Sequence, residues 1–156
     1  MIQKTIKRLL PLVAVEDIFI VTNENYVRII NDQLPDIPQE NILAEPVAKN
    51  TAPCIALAAA VINKKYDDAI MMVLPSDHLI KYEELYLDTM RNAIKVAKKD
   101  ENLVTIGITP TYPETGYGYI NFFRSDAEDT TGVYKVKRFV EKPCLELAKE
   151  YLNSGK

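Results

Sequence analysis

Helix-like and strand-like apolar patterns alternate along most of this chain of 156 residues, and this alternation limits its fold more than any other feature. Apolar residues recur at helical spacing in several segments, and short continuous apolar runs of strand length lie between them. The run at residues 69–74 is apolar throughout, which is typical of a parallel strand that is covered on both faces. Alternating strands and helices predict an α/β domain with a largely parallel sheet.

The individual elements can be predicted from the same patterns. The predicted helices are residues 2–10, 24–34, 55–62, 83–99 and 145–152, of which 55–62 is expected to be deeply buried. The predicted strands are residues 17–22, 41–44, 69–74, 103–108, 119–123 and 133–140. The last two strands follow each other without a helix, which predicts an antiparallel excursion at one edge of the sheet. The length fits one domain over residues 1–156.

Charge and residue usage exclude several classes of function. Nineteen basic against 22 acidic side chains give a net charge of −3, which argues against a nucleic-acid partner. The longest apolar runs are far shorter than the roughly 20 residues of a membrane-spanning helix, so no membrane partner is expected. One histidine and two distant cysteines, Cys54 and Cys144, exclude a two-histidine zinc site and a CxxC pair. Reduced thiols and the absence of a secretory signal predict a cytoplasmic protein.

The first candidate site follows the apolar run 69–74. Ligands of parallel sheets bind beyond the carboxyl ends of the strands, where this sequence places PSDH at residues 75–78. Asp77 in that position is suited to bind a hard divalent cation such as Mg²⁺. Alternatively, Asp77 is a solvated turn residue or the N-cap of the next helix. A hydrolytic triad within 76–78 is not expected, because neighbouring side chains of an extended segment point to opposite faces.

The second candidate site is the loop at residues 45–53, which also follows a predicted strand. Asn50 and Thr51 carry amide and hydroxyl groups that are able to read the edge of a base. The alternative is that one of them only caps the helix that follows, which is the more common role of such residues.

Two further segments lie nearer the C-terminus. TGYGYI at residues 115–120 combines two glycines with aromatic residues, which fits either a close backbone approach to a sugar or a tight turn before a strand. FVEKP at residues 139–143 ends a predicted strand with an acid and a base. Glu141 and Lys142 suit the hydroxyl groups and the phosphate of a phosphorylated ligand. The alternative is an ordinary surface ion pair.

Together and in this order, EPVAKNTAP, VLPSDHLI, TGYGYI and FVEKP resemble the characteristic segments of the mannose-1-phosphate guanylyltransferases over nearly the whole chain. Lys49 stands where that family usually has arginine, which keeps the charge but loses a planar, bidentate fork. PSDH together with the RNTAP-like segment favours a guanylyltransferase over uridylyl or thymidylyl relatives. The resemblance implies a Rossmann-like fold of the nucleotide-diphospho-sugar transferases.

The resemblance also implies a reaction, a cofactor and a set of site residues. The reaction is that of GTP with mannose-1-phosphate, giving GDP-mannose and pyrophosphate, with Mg²⁺ as the cofactor. Asp77, as metal ligand, and Lys142, near the sugar phosphate, are the implied catalytic residues. The implied nucleotide-binding residues are Glu45, Lys49, Asn50, Thr51, Ala52, Ser76 and Asp77. The implied sugar-phosphate-binding residues are Gly116, Tyr117, Gly118, Glu141 and Lys142, with Glu141 on the mannose hydroxyls.

The resemblance finally implies that the chain is an internal part of a catalytic domain. The family begins with a strand and a GG-x-G-x-R-x-W-P loop and continues to a second metal-binding aspartate, and neither segment occurs in this sequence. We therefore expect the chain alone not to catalyse the transfer at a useful rate. The first strand of the family would lie beside 69–74, so an unpaired edge there favours a homo-oligomer. The alternatives are a non-catalytic binding or interaction fragment and a nucleotidyltransferase for another hexose-1-phosphate.

Overall fold

The computed structural model describes residues 1–47, 49–100, 102–123 and 132–154. They form two compact units, which divide after Val104. The first unit contains α1 (Ile2–Leu9), β1 (Ile20–Asn23), α2 (Val27–Gln33), β2 (Ile42–Glu45), α3 (Thr51–Lys65) and α4 (Glu83–Asp100). The second unit contains β3 (Tyr119–Phe122), β4 (Val136–Val140) and α5 (Leu145–Ser154). Within the described residues, no helix is both long enough and apolar enough to cross a membrane.

A parallel pair of strands lies at the centre of the first unit. Ile20 of β1 lies opposite Ile42 of β2. Asn41, which directly precedes β2, is only 1% exposed. Its side-chain amide donates hydrogen bonds to the carbonyl oxygens of Glu16 at 2.8 Å and of Ile18 at 3.1 Å. Because both carbonyls lie just before β1, this one buried side chain connects the start of β1 to the start of β2.

An apolar cluster surrounds the parallel pair. Its buried members come from the two strands and from the segment after α2, and they are Ile18, Ile20, Leu34, Ile37 and Ile42. Half-buried apolar residues of α1 and α2 pack against them. The spacing that predicted both helices thus places their apolar faces on the core of the first unit.

The long helix α4 follows its sequence pattern closely. Leu87 and Met90, two of the residues whose spacing predicts the helix, are buried. Two glutamates occupy the first turn of α4 and two lysines lie in its last turn. Negative charge at the N-terminus and positive charge at the C-terminus both stabilise a helix, because they complement its dipole.

The second unit confirms that the last two strands are antiparallel, and among the described residues they form a two-stranded sheet of their own. β3 and β4 pair in antiparallel fashion, with Tyr119 opposite Val140. α5 contributes Ala148, which is fully buried. The ring of Tyr151 on α5 packs against the ring of Tyr119 on β3, with centroids 5.5 Å apart. The α/β class is therefore confirmed, with one parallel and one antiparallel strand pair in the described residues.

Two predicted strands and one predicted burial are wrong. Residues 69–74 and 103–108 form no strand, and no other segment of the described chain pairs with them. Val73, expected in a fully covered strand, is 51% exposed. No residue of α3 is buried, although its sequence is nearly all apolar. Apolar composition indicates what a segment is able to bury, but strand hydrogen bonds and burial both require a neighbouring segment.

We predict that Asn41→Asp destabilises the first unit. The substitution keeps the shape of the side chain but places an acceptor against two carbonyl oxygens, so the free energy of unfolding should fall by at least about 2 kcal/mol at pH 7. Urea denaturation followed by far-UV circular dichroism measures this loss. Asn63→Asp, at an exposed position of α3, is the matched control and should change stability by about 0.5 kcal/mol or less. Similar losses in the two variants would contradict the role of Asn41.

Candidate functional site

The predicted nucleotide-binding loop lies between β2 and α3. Burial raises the pKa of the Cys54 thiol, and the negative charge of Glu45 raises it further by a smaller amount. Glu45 ends β2 and Cys54 lies in the first turn of α3, so these two parts of the chain lie close together. Residue 48 lies outside the described residues. The remaining predicted loop residues are exposed, and they are Lys49, Asn50, Thr51 and Ala52. Side chains of this loop are therefore accessible to a ligand.

Asn50 adopts a strained backbone conformation at the start of α3. Its φ of 65° and ψ of −166° lie in a region that is occupied almost only by glycine. Such a conformation costs on the order of 1–3 kcal/mol and occurs preferentially at functional sites. Asn50 stands at the N-cap position, yet its side chain makes no capping hydrogen bond. Capping therefore does not explain why asparagine occupies this position, and its amide is available for another contact.

Asp77 lies in an exposed turn together with Ser76. The hydroxyl of Thr5, a buried residue of α1, donates a hydrogen bond to the Ser76 carbonyl oxygen at 3.2 Å. The sequence pattern predicted that this turn follows the end of a strand. In the structure no strand precedes it, and a contact with α1 holds it instead. Helix α4 begins at Glu83, so Asp77 is not its N-cap. The Asp77 carboxylate has no hydrogen-bond or ion-pair partner in the described part of the chain.

Three of the predicted sugar-phosphate residues lie together in the second unit. A Cβ atom placed on Gly118 would lie 3.0 Å from Glu141 Oε2, so any other residue here would require the exposed Glu141 carboxylate to shift. Lys142 Nζ lies 3.3 Å from Glu141 Oε1, and both side chains are largely exposed. Lys142 itself has a φ of 39°, which is unusual for a residue other than glycine. Tyr117, beside Gly118, is also exposed.

The sequence patterns did not single out Tyr119, which directly follows these glycines on β3. Its hydroxyl oxygen is buried and has no hydrogen-bond partner within the described residues. A buried hydroxyl that lacks a partner costs roughly 1–3 kcal/mol. The position of Tyr119 at the end of the Gly-Tyr-Gly-Tyr run is the signal that would have identified it. Its hydroxyl is a further candidate for contact with a ligand or a bound water.

The whole chain, residues 1–156, matches the nucleotidyl transferase family. A mannose-1-phosphate guanylyltransferase of Salmonella montevideo is 44% identical to it over 160 residues, covering 99% of this chain and 33% of that protein. One from Escherichia coli is 42% identical over 157 residues with the same coverage. This chain thus spans about a third of the length of these curated relatives.

A solved structure also matches the chain over nearly its whole length. It is a crystal structure described as a mannose-1-phosphate geranyltransferase from Thermus thermophilus, with 30% sequence identity and a TM-score of 0.85. The match covers 99% of this chain and 43% of that one. The fold is therefore that of a nucleotidyltransferase-like α/β protein.

We predict that Asn50→Gly stabilises the protein, because glycine adopts the observed dihedral angles without strain. The free energy of unfolding should rise by about 1 kcal/mol, the relief of strain exceeding the added entropy of the unfolded chain. Asn63→Gly, in the same helix but with ordinary helical geometry, should instead lower it by about 0.5–1 kcal/mol. Urea denaturation of both variants measures the two changes. A loss of stability in Asn50→Gly would contradict the strain at Asn50.

Proposed function

This chain belongs to the nucleotidyl transferase family, and we propose that it contributes to a mannose-1-phosphate guanylyltransferase. Relatives that bear this name are more than 40% identical to it over nearly the whole chain. The proposed reaction joins GTP and mannose-1-phosphate and yields GDP-mannose and pyrophosphate. One structural observation carries the proposal, namely the arrangement of Gly118, Glu141 and Lys142 in the second unit.

This arrangement suits a hexose phosphate. The exposed Glu141 carboxylate accepts hydrogen bonds, as sugar hydroxyls require, and Gly118 beside it presents no side chain of its own to a sugar ring. Lys142 places an ammonium group 3.3 Å from that carboxylate, where it is able to meet a phosphate. The positive φ of Lys142 supports a role beyond that of a simple surface ion pair, which needs no unusual backbone conformation.

The proposed reaction requires little covalent chemistry from the protein. A phosphate oxygen of mannose-1-phosphate attacks the α-phosphorus of GTP, a new P–O bond forms, and the bond to the bridging oxygen breaks to release pyrophosphate. The two substrates are both anions, so the protein has to align them and reduce their repulsion. We assign the alignment of the sugar phosphate to Glu141 and Lys142.

We assign the nucleotide to exposed residues of the first unit. Asn50 presents an uncommitted amide, with both donor and acceptor groups for the edge of guanine. Thr51 adds a hydroxyl, and Lys49 places a positive charge in the same exposed stretch. Glu45, at the end of β2, and Ser76, in the turn that α1 holds, complete the proposed set together with Ala52.

We propose Asp77 as a ligand of Mg²⁺. Its carboxylate is exposed and unpaired within the described chain, and oxygen is the donor that this cation prefers. The described residues contain no group of three or more His, Cys, Asp or Glu side chains that would hold a metal without further ligands. One carboxylate is nevertheless compatible with Mg²⁺, which commonly takes its other ligands from water and substrate phosphates. When bound, Mg²⁺ supplies positive charge to the phosphates.

We also propose a cytoplasmic location and retain the homo-oligomer as a prediction. The free thiols Cys54 and Cys144 suit a reducing compartment, and GTP as a substrate suits the same one. Exposed apolar side chains such as Val73 and Ile108 favour association with another surface. Light scattering of the purified chain tests the oligomer.

We predict that Glu141→Ala weakens binding of mannose-1-phosphate by about tenfold or more, because the sugar hydroxyls lose a charged acceptor. Isothermal titration calorimetry measures the affinity. Glu150→Ala, which removes an exposed acid from α5, is the control and should leave the affinity unchanged. Unchanged binding in Glu141→Ala would contradict the proposed sugar site. Equal affinity of the wild type for glucose-1-phosphate would favour a transferase for another hexose.

We predict that Asp77→Asn removes most of the effect of Mg²⁺ on GTP binding. An amide is a weaker ligand for a hard cation than a carboxylate, because it carries no charge. GTP affinity should therefore rise with Mg²⁺ in the wild type and change little with Mg²⁺ in the variant, as measured by calorimetry. Asp68→Asn, at an exposed position before residues 69–74, should behave as the wild type. The same response to Mg²⁺ in all three proteins would show that Asp77 does not bind the metal.

A further inference from the structure

Glu114 binds the backbone of the glycine-containing loop that leads into β3. Its Oε1 atom accepts hydrogen bonds from two successive amides, from Thr115 at 2.9 Å and from Gly116 at 2.8 Å. Two adjacent amides that converge on one carboxylate oxygen fix the direction of the chain at this point. Hydrogen bonds to an ionised acceptor are also roughly twice as strong as those between neutral groups.

The glycine at position 116 is part of the same arrangement. A Cβ atom there would lie 3.2 Å from Glu114 Oε1, which is closer than a side chain usually approaches. Gly116 therefore leaves room for the carboxylate that its own amide contacts. Two residues later, Gly118 lies directly against Glu141 in the proposed sugar site. The pairing of β3 with β4 brings Gly118 against Glu141, and the loop that Glu114 holds leads directly into this contact.

We propose that Glu114 is a positioning residue for sugar-phosphate binding, which holds the Thr115–Gly118 loop against Glu141 without touching the ligand. This inference rests on the proposed function of that site. The Glu114 carboxylate already accepts hydrogen bonds from the Thr115 and Gly116 amides and from the Tyr112 phenol, all within its own segment of the chain. The role of Glu114 is therefore to shape the loop, and its removal should affect the sugar site more than the overall stability of the protein.

The hydrogen bonds to Glu114 make its contribution to the loop depend on pH. Hydrogen bonding from the Gly116 amide, then from the Tyr112 phenol, lowers the pKa of the Glu114 carboxyl, and the same contact raises the pKa of Tyr112. The charges that Tyr117 and Tyr119 carry when ionised also raise the pKa of Tyr112. A lowered pKa in the folded state means that the ionised carboxylate favours the ordered loop. The stabilisation that the ionised carboxylate gives to the loop should be fully present above the ordinary glutamate pKa and lost as the pH falls through the lowered value.

Two measurements on the full chain test this inference. The first is hydrogen exchange of the Thr115 and Gly116 amides by NMR at neutral pH, which needs no ligand. Both amides should exchange faster in Glu114→Ala than in the wild type. Glu114→Gln, which keeps an acceptor oxygen of the same reach, should restore most of the protection. Equal exchange in the wild type and in Glu114→Ala would overturn the inference.

The second measurement is mannose-1-phosphate affinity by calorimetry. Glu114→Ala should weaken it about tenfold, because the loop loses its preorganised shape, and Glu114→Gln should recover most of the loss. GTP affinity should stay unchanged in both variants, since the hydrogen bonds of Glu114 stay within its own loop, and Glu150→Ala is again the control. If the wild type and Glu114→Ala bind mannose-1-phosphate equally well, the inference is overturned and the proposed function is not. A wild type that binds no mannose-1-phosphate would overturn the proposed function, and the inference with it.

Discussion

The buried amide of Asn41 is the interaction on which the first unit depends. It fixes the start of β2 against the segment that enters β1, and thereby the parallel register in which Ile20 faces Ile42. A shift of one residue would turn every side chain of a strand to the opposite face, so both isoleucines would leave the core. The same register determines where β2 ends and where the exposed loop after Glu45 begins. A polar contact inside the core therefore sets the position of the proposed nucleotide-binding loop.

Backbone strain gives independent support for two parts of the proposed site. Within the described residues, the positive φ angles outside glycine occur at Asn50 and Lys142. Each of these conformations persists only if the surrounding structure imposes it, because the isolated residue would relax. The sequence analysis selected both residues for their side-chain chemistry. Their backbone dihedral angles played no part in that selection, so they are independent evidence. Their coincidence favours function over capping at Asn50 and over a simple surface pair at Lys142.

The sequence predicted helices better than strands, for a physical reason. A helix forms its hydrogen bonds within one segment, so the spacing of Leu87 and Met90 was sufficient to predict α4. A strand forms them with a neighbour, and the runs 69–74 and 103–108 have no such neighbour among the described residues. The sequence pattern also placed Gly118 and Glu141 in one proposed site, but only through motifs. The contact of Glu114 with successive amides depends on loop geometry, which apolar periodicity does not encode.

The partners of an acidic side chain in the free protein indicate which role it is able to play. Glu114 accepts hydrogen bonds from two amides of the following loop and from the Tyr112 phenol, so its contacts shape a loop. Glu141 is exposed beside an exposed charge partner, Lys142, and a ligand that carries both hydroxyls and a phosphate would satisfy the two groups at once. Asp77 is exposed and has no partner in the described chain, so its carboxylate oxygens are accessible to a cation. Because the proposed transfer depends on position and charge rather than on covalent catalysis, these three acids would act through different contacts, although their chemistry is nearly the same.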